Sequence, residues 1–110
     1  MKTILILFFV LFYGLCYSQT IKVPINATQV IYDDINHKAF VIVDTKDDNY
    51  SNNLLQLNPY TGEVERSMKL NDNPFYMKFT PDLKHIYVSY LTLQQIDKVN
   101  IADFKIVETI

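Results

Sequence analysis

The chain repeats itself, and the repeat constrains the fold more than any other feature. Displaced by 47 positions, Asn26-Ala27 falls on Asn73-Pro74, Val30 on Met77, Tyr32 on Phe79, and Lys38-Ala39-Phe40-Val41 on His85-Ile86-Tyr87-Val88. Beyond Asp44 the displacement drops to 42, which sets Leu57-Asn58 on Val99-Asn100, Val64 on Ile106 and Met68 on Ile110. The extra residues of the first copy fall in the polar stretch 46–53, where a loop tolerates insertion. A period in the forties marks a unit that cannot bury its own apolar face and must stack on copies of itself.

Each copy reads as four strands. Between Gln19 and Ile110 the chain holds one glycine, Gly62, and is rich in Val, Ile, Tyr and Phe in short runs bounded by Asn, Asp and Pro. That texture predicts strands over 20–23, 29–33, 39–44, 54–57, 64–70, 76–80, 86–90, 94–99 and 105–110, with no run of helical period. Val64 to Leu70 alternates as an edge wetted on one face should. Ala39 to Val43 is apolar throughout, as a strand buried on both faces should be. The fold class is therefore all-β: two consecutive four-stranded antiparallel propeller blades, 26–70 and 71–110, preceded by a lone outer strand at 19–25.

The first 18 residues have the order of a secretory signal. Lys2 gives a basic start, Ile4 to Phe12 is an unbroken apolar run, and Cys16 and Ser18 take the −3 and −1 places before Gln19. The run is shorter than the ~20 residues a spanning helix needs. A lipidated Cys16 is the alternative, against which stands Leu15 where a small residue is wanted. The expectation is a secreted or periplasmic protein with no transmembrane segment. Without Cys16 it has no thiol to form a disulfide. Without Lys2, nine basic side chains remain against twelve acidic ones, a formal charge of −3. The basic residues form no stripe, which excludes nucleic acid as an expected partner.

In the second copy, Asn73-Pro74, Met77-Lys78-Phe79-Thr80-Pro81-Asp82 and His85-Ile86-Tyr87-Val88-Ser89 stand in order. This pattern resembles the YVTN-type propeller repeat of secreted bacterial proteins. Leu57 to Val64 looks like the later hairpin of that repeat, and Val99 to Ile106 is its counterpart. The resemblance spans nearly all of 19–110, about two of the roughly six to eight blades such families use. It departs where Leu83 replaces the glycine of a Pro-Asp-Gly turn; Asn36, aligned with Leu83, suits a left-handed residue better. The resemblance implies a fold and no shared catalytic residues.

Candidate chemistry is sparse. His37 lies in a predicted turn and His85 opens the next strand, and together they lack the third and fourth ligands of a metal site. Asp44, Asp47 and Asp48 are candidate calcium ligands, set against a solvated loop because Lys46 lies among them and no EF-hand glycine does. Asp33-Asp34 could be an acid–base pair, but turn chemistry explains adjacent acids equally well. No nucleophile motif or phosphate loop is present. Asn26-Ala27-Thr28 and Asn49-Tyr50-Ser51 fit the glycosylation pattern and are read as carrying no sugar, the resemblance being to bacterial proteins. Phe40 with Tyr87, and Tyr32 with Phe79, are aligned aromatics expected in the core between blades. Tyr50, Tyr60 and Tyr76 fall in or beside loops and are candidate partner contacts.

The expected function is a non-enzymatic binding or scaffold module with no cofactor, taking an unknown protein or small-molecule partner. One rival is a fragment of a secreted propeller enzyme, lactonase-like or quinoprotein-dehydrogenase-like. The other is a self-assembling structural protein. Two blades leave an apolar face at each end, so copies of the chain or further blades are expected to complete a ring.

Overall fold

The computed structural model describes residues 23–110. These form eight strands: β1 (Ala27–Asp33), β2 (Lys38–Val43), β3 (Asn53–Leu57), β4 (Val64–Lys69), β5 (Pro74–Phe79), β6 (His85–Tyr90), β7 (Ile96–Asn100) and β8 (Lys105–Thr109). They pair into two four-stranded sheets in the orders β1-β2-β3-β4 and β5-β6-β7-β8, antiparallel throughout. Among the described residues there is no helix. The expected signal segment, 1–18, and residues 19–22 of the expected closing strand lie outside them, and 23–25 are not in a strand.

Each sheet is a blade, and both carry the same irregularities. A register shift in β1 leaves Thr28 as the extra residue between Ala27↔Val43 and Gln29↔Ile42. The equivalent shift in β5 leaves Phe75 extra between Pro74↔Tyr90 and Tyr76↔Ser89. A second pair of shifts makes Glu65 the extra residue of β4 and Val107 that of β8. Bulges re-aim side chains and raise local twist. Here the β4 bulge corrects the simple alternation of 64–70. Val64 packs with Leu57 on one face, whereas Met68 packs on the other.

The blades stack front to back. The front of blade 1 supplies Ile31, Phe40, Ile42 and Leu54; the back of blade 2 supplies Met77, Ile86, Val88 and Val99. All of these but the half-buried Ile31 are fully buried, each of them contributing about 1.5–3 kcal/mol through removal from water. The Phe40 and Phe79 rings meet edge to face at 5.6 Å. On the back of blade 1, Val41, Val43, Leu55 and Leu57 form a second cluster, covered in part by Val23, Ile25 and Tyr50. β2 is accordingly buried on both faces.

Stacking front to back corrects the expectation for the aligned aromatics. Phe40 and Phe79 are inter-blade core and touch each other, but their repeat equivalents Tyr87 and Tyr32 stand on the two outward faces. Tyr32 is 47% exposed. Equivalent residues of consecutive blades look the same way along the stack, so only one of each pair can meet the neighbour present.

The hairpin turns differ between copies. In the β1–β2 turn it is His37 (φ 55°), not Asn36, that takes the left-handed conformation. Asp33 Oδ1 accepts the N–H groups of Ile35 and Asn36 and fixes this turn. In the β5–β6 turn Leu83 itself is left-handed (φ 60°), with its N–H donating to Thr80 O at 2.9 Å. Asp82 accepts from the Thr80 hydroxyl and the Lys84 N–H, which hold the turn closed around it.

Candidate functional site

One cross-strand row defines the front of each blade. In blade 1 it runs Ile31, Phe40, Gln56, Arg66 from inner to outer strand. In blade 2 the same register positions are Lys78, Tyr87, Lys98 and Glu108. The first row is the docking surface for blade 2. Arg66 donates to Ile101 O at 2.7 Å and Ala102 O at 3.0 Å, and its guanidinium covers the Phe104 ring at 4.4 Å. Gln56 Oε1 accepts from Arg66 Nε and Nη2 and aims the fork. Gln56 also donates to Glu65, whose carboxyl accepts Lys38 as well; these two bonds hold Glu65 below the usual carboxylate range. At the inner strand, Gln29 Oε1 accepts the Met77 N–H at 2.6 Å.

The second row faces outward and lines an open groove. Tyr76, Lys78, Tyr87, Ser89, Ile96 and Ile110 enclose about 360 Å³, and the Lys98 ammonium lies 5.8 Å from the centre of the Tyr87 ring. Tyr76 is 51% and Ile110 65% exposed. The groove thus combines aromatic faces, two ammonium groups and an apolar floor.

Of the three candidate contact tyrosines, only Tyr76 lies on this groove. Tyr50 is half-buried against blade 1, and its N–H donates to Asp47. Tyr60 is exposed on the β3–β4 turn, at the other end of β3 from Tyr50, with its ring centre 6.4 Å from that of His37. The candidate calcium loop is tied by its own backbone. Asp47 accepts N–H bonds from Asn26, Tyr50 and Asn49, which lower its pKa, and Asp44 accepts the Lys46 N–H. Asp48 is exposed. Among the described residues no three His, Cys, Asp or Glu side chains come together as metal ligands. His37 Nδ1 bonds the Tyr32 hydroxyl, while the His85 N–H donates to Thr80 in the other hairpin. Asp33 serves its turn: burial opposes ionisation, but bonds from Asn36 and Ile35 outweigh it and hold the pKa down.

Sequence reasoning passed over Asp97. It is fully buried in β7, where Tyr90 OH (2.5 Å), Asn71 Nδ2, Thr109 Oγ1 and Gln95 Nε2 all donate to its carboxylate. Burial, then Asp97, pushes the Tyr90 phenol above its ordinary range. Arg66, Asp97 and Phe104 were also passed over as a set. The signal that finds them is the repeat itself, since these are the places where the copies disagree: Arg66 against Glu108, Leu55 against Asp97, Gly62 against Phe104.

No protein-family profile and no curated protein matches the chain. Solved structures do. Apo AztD from Citrobacter koseri superposes with a TM-score of 0.64 at 19% identity, over 81% of this chain and 24% of that one. A functionally unknown protein from Desulfotomaculum acetoxidans gives 0.64 at 13%, over 82% and 28%. Kuenenia stuttgartiensis hydrazine synthase gives 0.62 at 15%, over 87% and 26%. The two sheets are propeller-type blades. At these identities the likeness is one of fold, and the chain spans about a quarter of each matched structure. As consecutive blades, the sheets share one stacking direction, and the blade 2 groove occupies the place of a blade-to-blade contact.

Proposed function

We propose that this chain is an exported, non-catalytic blade module of YVTN-repeat type whose blade 2 groove seats a partner. The groove carries the proposal. It is an exposed face of tyrosine, lysine and isoleucine, set where blade 1 uses the same register positions to hold blade 2. The basic start, the apolar run and the Cys16-Tyr17-Ser18 exit support export, with Gln19 as the mature terminus. Expression with the leader should place a chain beginning at Gln19 in the periplasm or medium. Cross-linking against the exported proteins of the source should then capture a defined partner with the wild-type chain, and lose it with Tyr76→Ser/Ile96→Ser. Equal capture by both would contradict the assignment of the groove.

A second reading is a stretch of a larger propeller enzyme. Coverage favours it, since the chain matches about a quarter of the hydrazine synthase chain. Blades encoded in frame beyond residue 110 would support it.

A further inference from the structure

We infer that the exposed front of blade 2 closes on the front of a second copy of this chain about a two-fold axis, Lys78 of each copy meeting Glu108 of the other. The inference rests on the reading of that groove as a seat and names its occupant.

Two cross-strand rows make up this face. Lys78 pairs with Tyr87, Tyr87 with Lys98 and Lys98 with Glu108. Two residues along the strands, Tyr76 pairs with Ser89 and Ser89 with Ile96, while Ile96 and Ile110 exchange backbone bonds of 3.0 and 2.8 Å. Residues directly opposite each other share a face, so both rows stand on the groove side.

Turned end for end, each row matches itself. A two-fold axis lying along the strands, between β6 and β7, sets β5-β6-β7-β8 against β8-β7-β6-β5 of the second copy with the rows still level. Lys78 then faces Glu108, Tyr87 faces Lys98, Tyr76 faces Ile110 and Ser89 faces Ile96. Opposite charges meet at both ends, an ammonium meets an aromatic ring beside the axis, and in the second row a phenol ring covers an isoleucine. Such a contact is isologous and closes at two copies. Sheets packed face to face keep their strands within about 30° of each other, a rotation that moves residues little near the axis and that long Lys and Glu side chains absorb at the ends.

The equivalent row of blade 1 lacks this symmetry. Reversed, it sets Ile31 against Arg66 and Phe40 against Gln56, and it holds an unlike surface, the back of blade 2. Lys78 in place of Ile31 and Glu108 in place of Arg66 create the match. Glu108 keeps Lys98 opposite it within its own sheet, and the second copy adds Lys78, which among the described residues is in no ion pair. Tyr76, Ile96 and Ile110, exposed in one copy, are covered in two. The back of blade 1, already covered in part by Val23, Ile25 and Tyr50, takes no part.

Sedimentation equilibrium of the chain 19–110 tests this with charge reversals at two exposed positions, Lys78→Glu and Glu108→Lys. The wild type should run at the mass of two copies. Either variant alone sets like charges against each other at both ends and should associate at least about tenfold more weakly. Mixed in equal amounts, the two variants are complementary at both ends, and the two-copy mass should return. Wild type at one-copy mass, single variants as tightly associated as wild type, or a mixture no tighter than its components would each overturn the second copy as occupant. The wild-type mass decides by itself if a variant fails to fold. Partner capture in the Tyr76→Ser/Ile96→Ser experiment judges the groove as a seat separately, since a groove that fails as a two-copy contact can still capture another protein.

Discussion

The guanidinium of Arg66, from the outer strand of blade 1, lies 4.4 Å from the centre of the Phe104 ring in the last turn of blade 2. Phe104 reaches that place in a left-handed conformation (φ 54°), at the register position where blade 1 has Gly62 (φ 76°). A non-glycine residue there costs about 1–2 kcal/mol. The structure carries that strain so that the ring can fill the inter-blade core beside Phe40, 6.4 Å away.

Arg66→Ala should destabilise the chain by about 1–3 kcal/mol, through loss of two charged bonds to carbonyls and a cation–π contact. Arg66→Lys should recover little, because an ammonium cannot both fork to two carbonyls and stack. Urea unfolding midpoints of the three proteins decide this.

Phe104→Gly separates strain from packing. It relieves the left-handed backbone but empties a core position, where removal of a buried ring costs about 3–5 kcal/mol. The net expectation is a loss of about 1–4 kcal/mol in the same unfolding experiment. A stabilised variant would show that the ring does not pack as described.

Leu83→Gly has the opposite sign. Leu83 is left-handed without a comparable role in the core, so relief of about 1–2 kcal/mol should exceed the ~0.5–1 kcal/mol of added chain entropy. A small rise in thermal midpoint is expected, and a clear fall would contradict it.

Asp97 should be intolerant of apolar replacement even though Leu55 occupies its position in blade 1. Asp97→Leu leaves the buried Tyr90 hydroxyl without its acceptor, at about 1–3 kcal/mol, while the exposed Asn71 and Thr109 and the half-buried Gln95 can turn to water. Combining it with Tyr90→Phe removes one orphan, so the double variant should be more stable than the sum of the two single losses predicts, by about 1 kcal/mol.

Acid should destabilise the fold below the ordinary carboxylate range. Asp47, Asp33, Glu65 and Asp82 all have lowered pKa values: backbone N–H bonds dominate for Asp47, and a Thr80 bond for Asp82. A carboxyl depressed in the folded state stabilises at pH above its unfolded value, near 4, and that contribution disappears as pH falls through the folded value. The urea midpoint should therefore drop between about pH 5 and pH 2, and Asp47→Asn should flatten the drop.

The repeat and the strand texture were enough to give eight strands in two blades, within a few residues at each boundary. The bulges at Thr28, Glu65, Phe75 and Val107 were not legible, because an extra residue in one strand shows only against its partner. The stacking direction was also hidden. Aligned positions such as Phe40 and Tyr87 look identical in a repeat until the order of faces is known, and one is then core and the other surface. Tyr76 drew notice in the sequence because it follows the loop ending at Asn73; it lies in β5 on the groove, whereas Lys78 and Glu108 gain meaning only from the row they share. For the loop carboxylates Asp44, Asp47 and Asp48 the sequence left calcium ligands beside a solvated loop, because spacing does not show which backbone N–H groups Asp44 and Asp47 will accept.

The central claim is that two blades stack front to back into one core. Nuclear Overhauser contacts between the Phe40 and Phe79 rings in the labelled chain 19–110 test it most directly. Strong cross-peaks between these rings, and between Phe40 and Phe104, are predicted from separations of 5.6 and 6.4 Å. Intact contacts within each sheet, with none between the rings, would contradict the account.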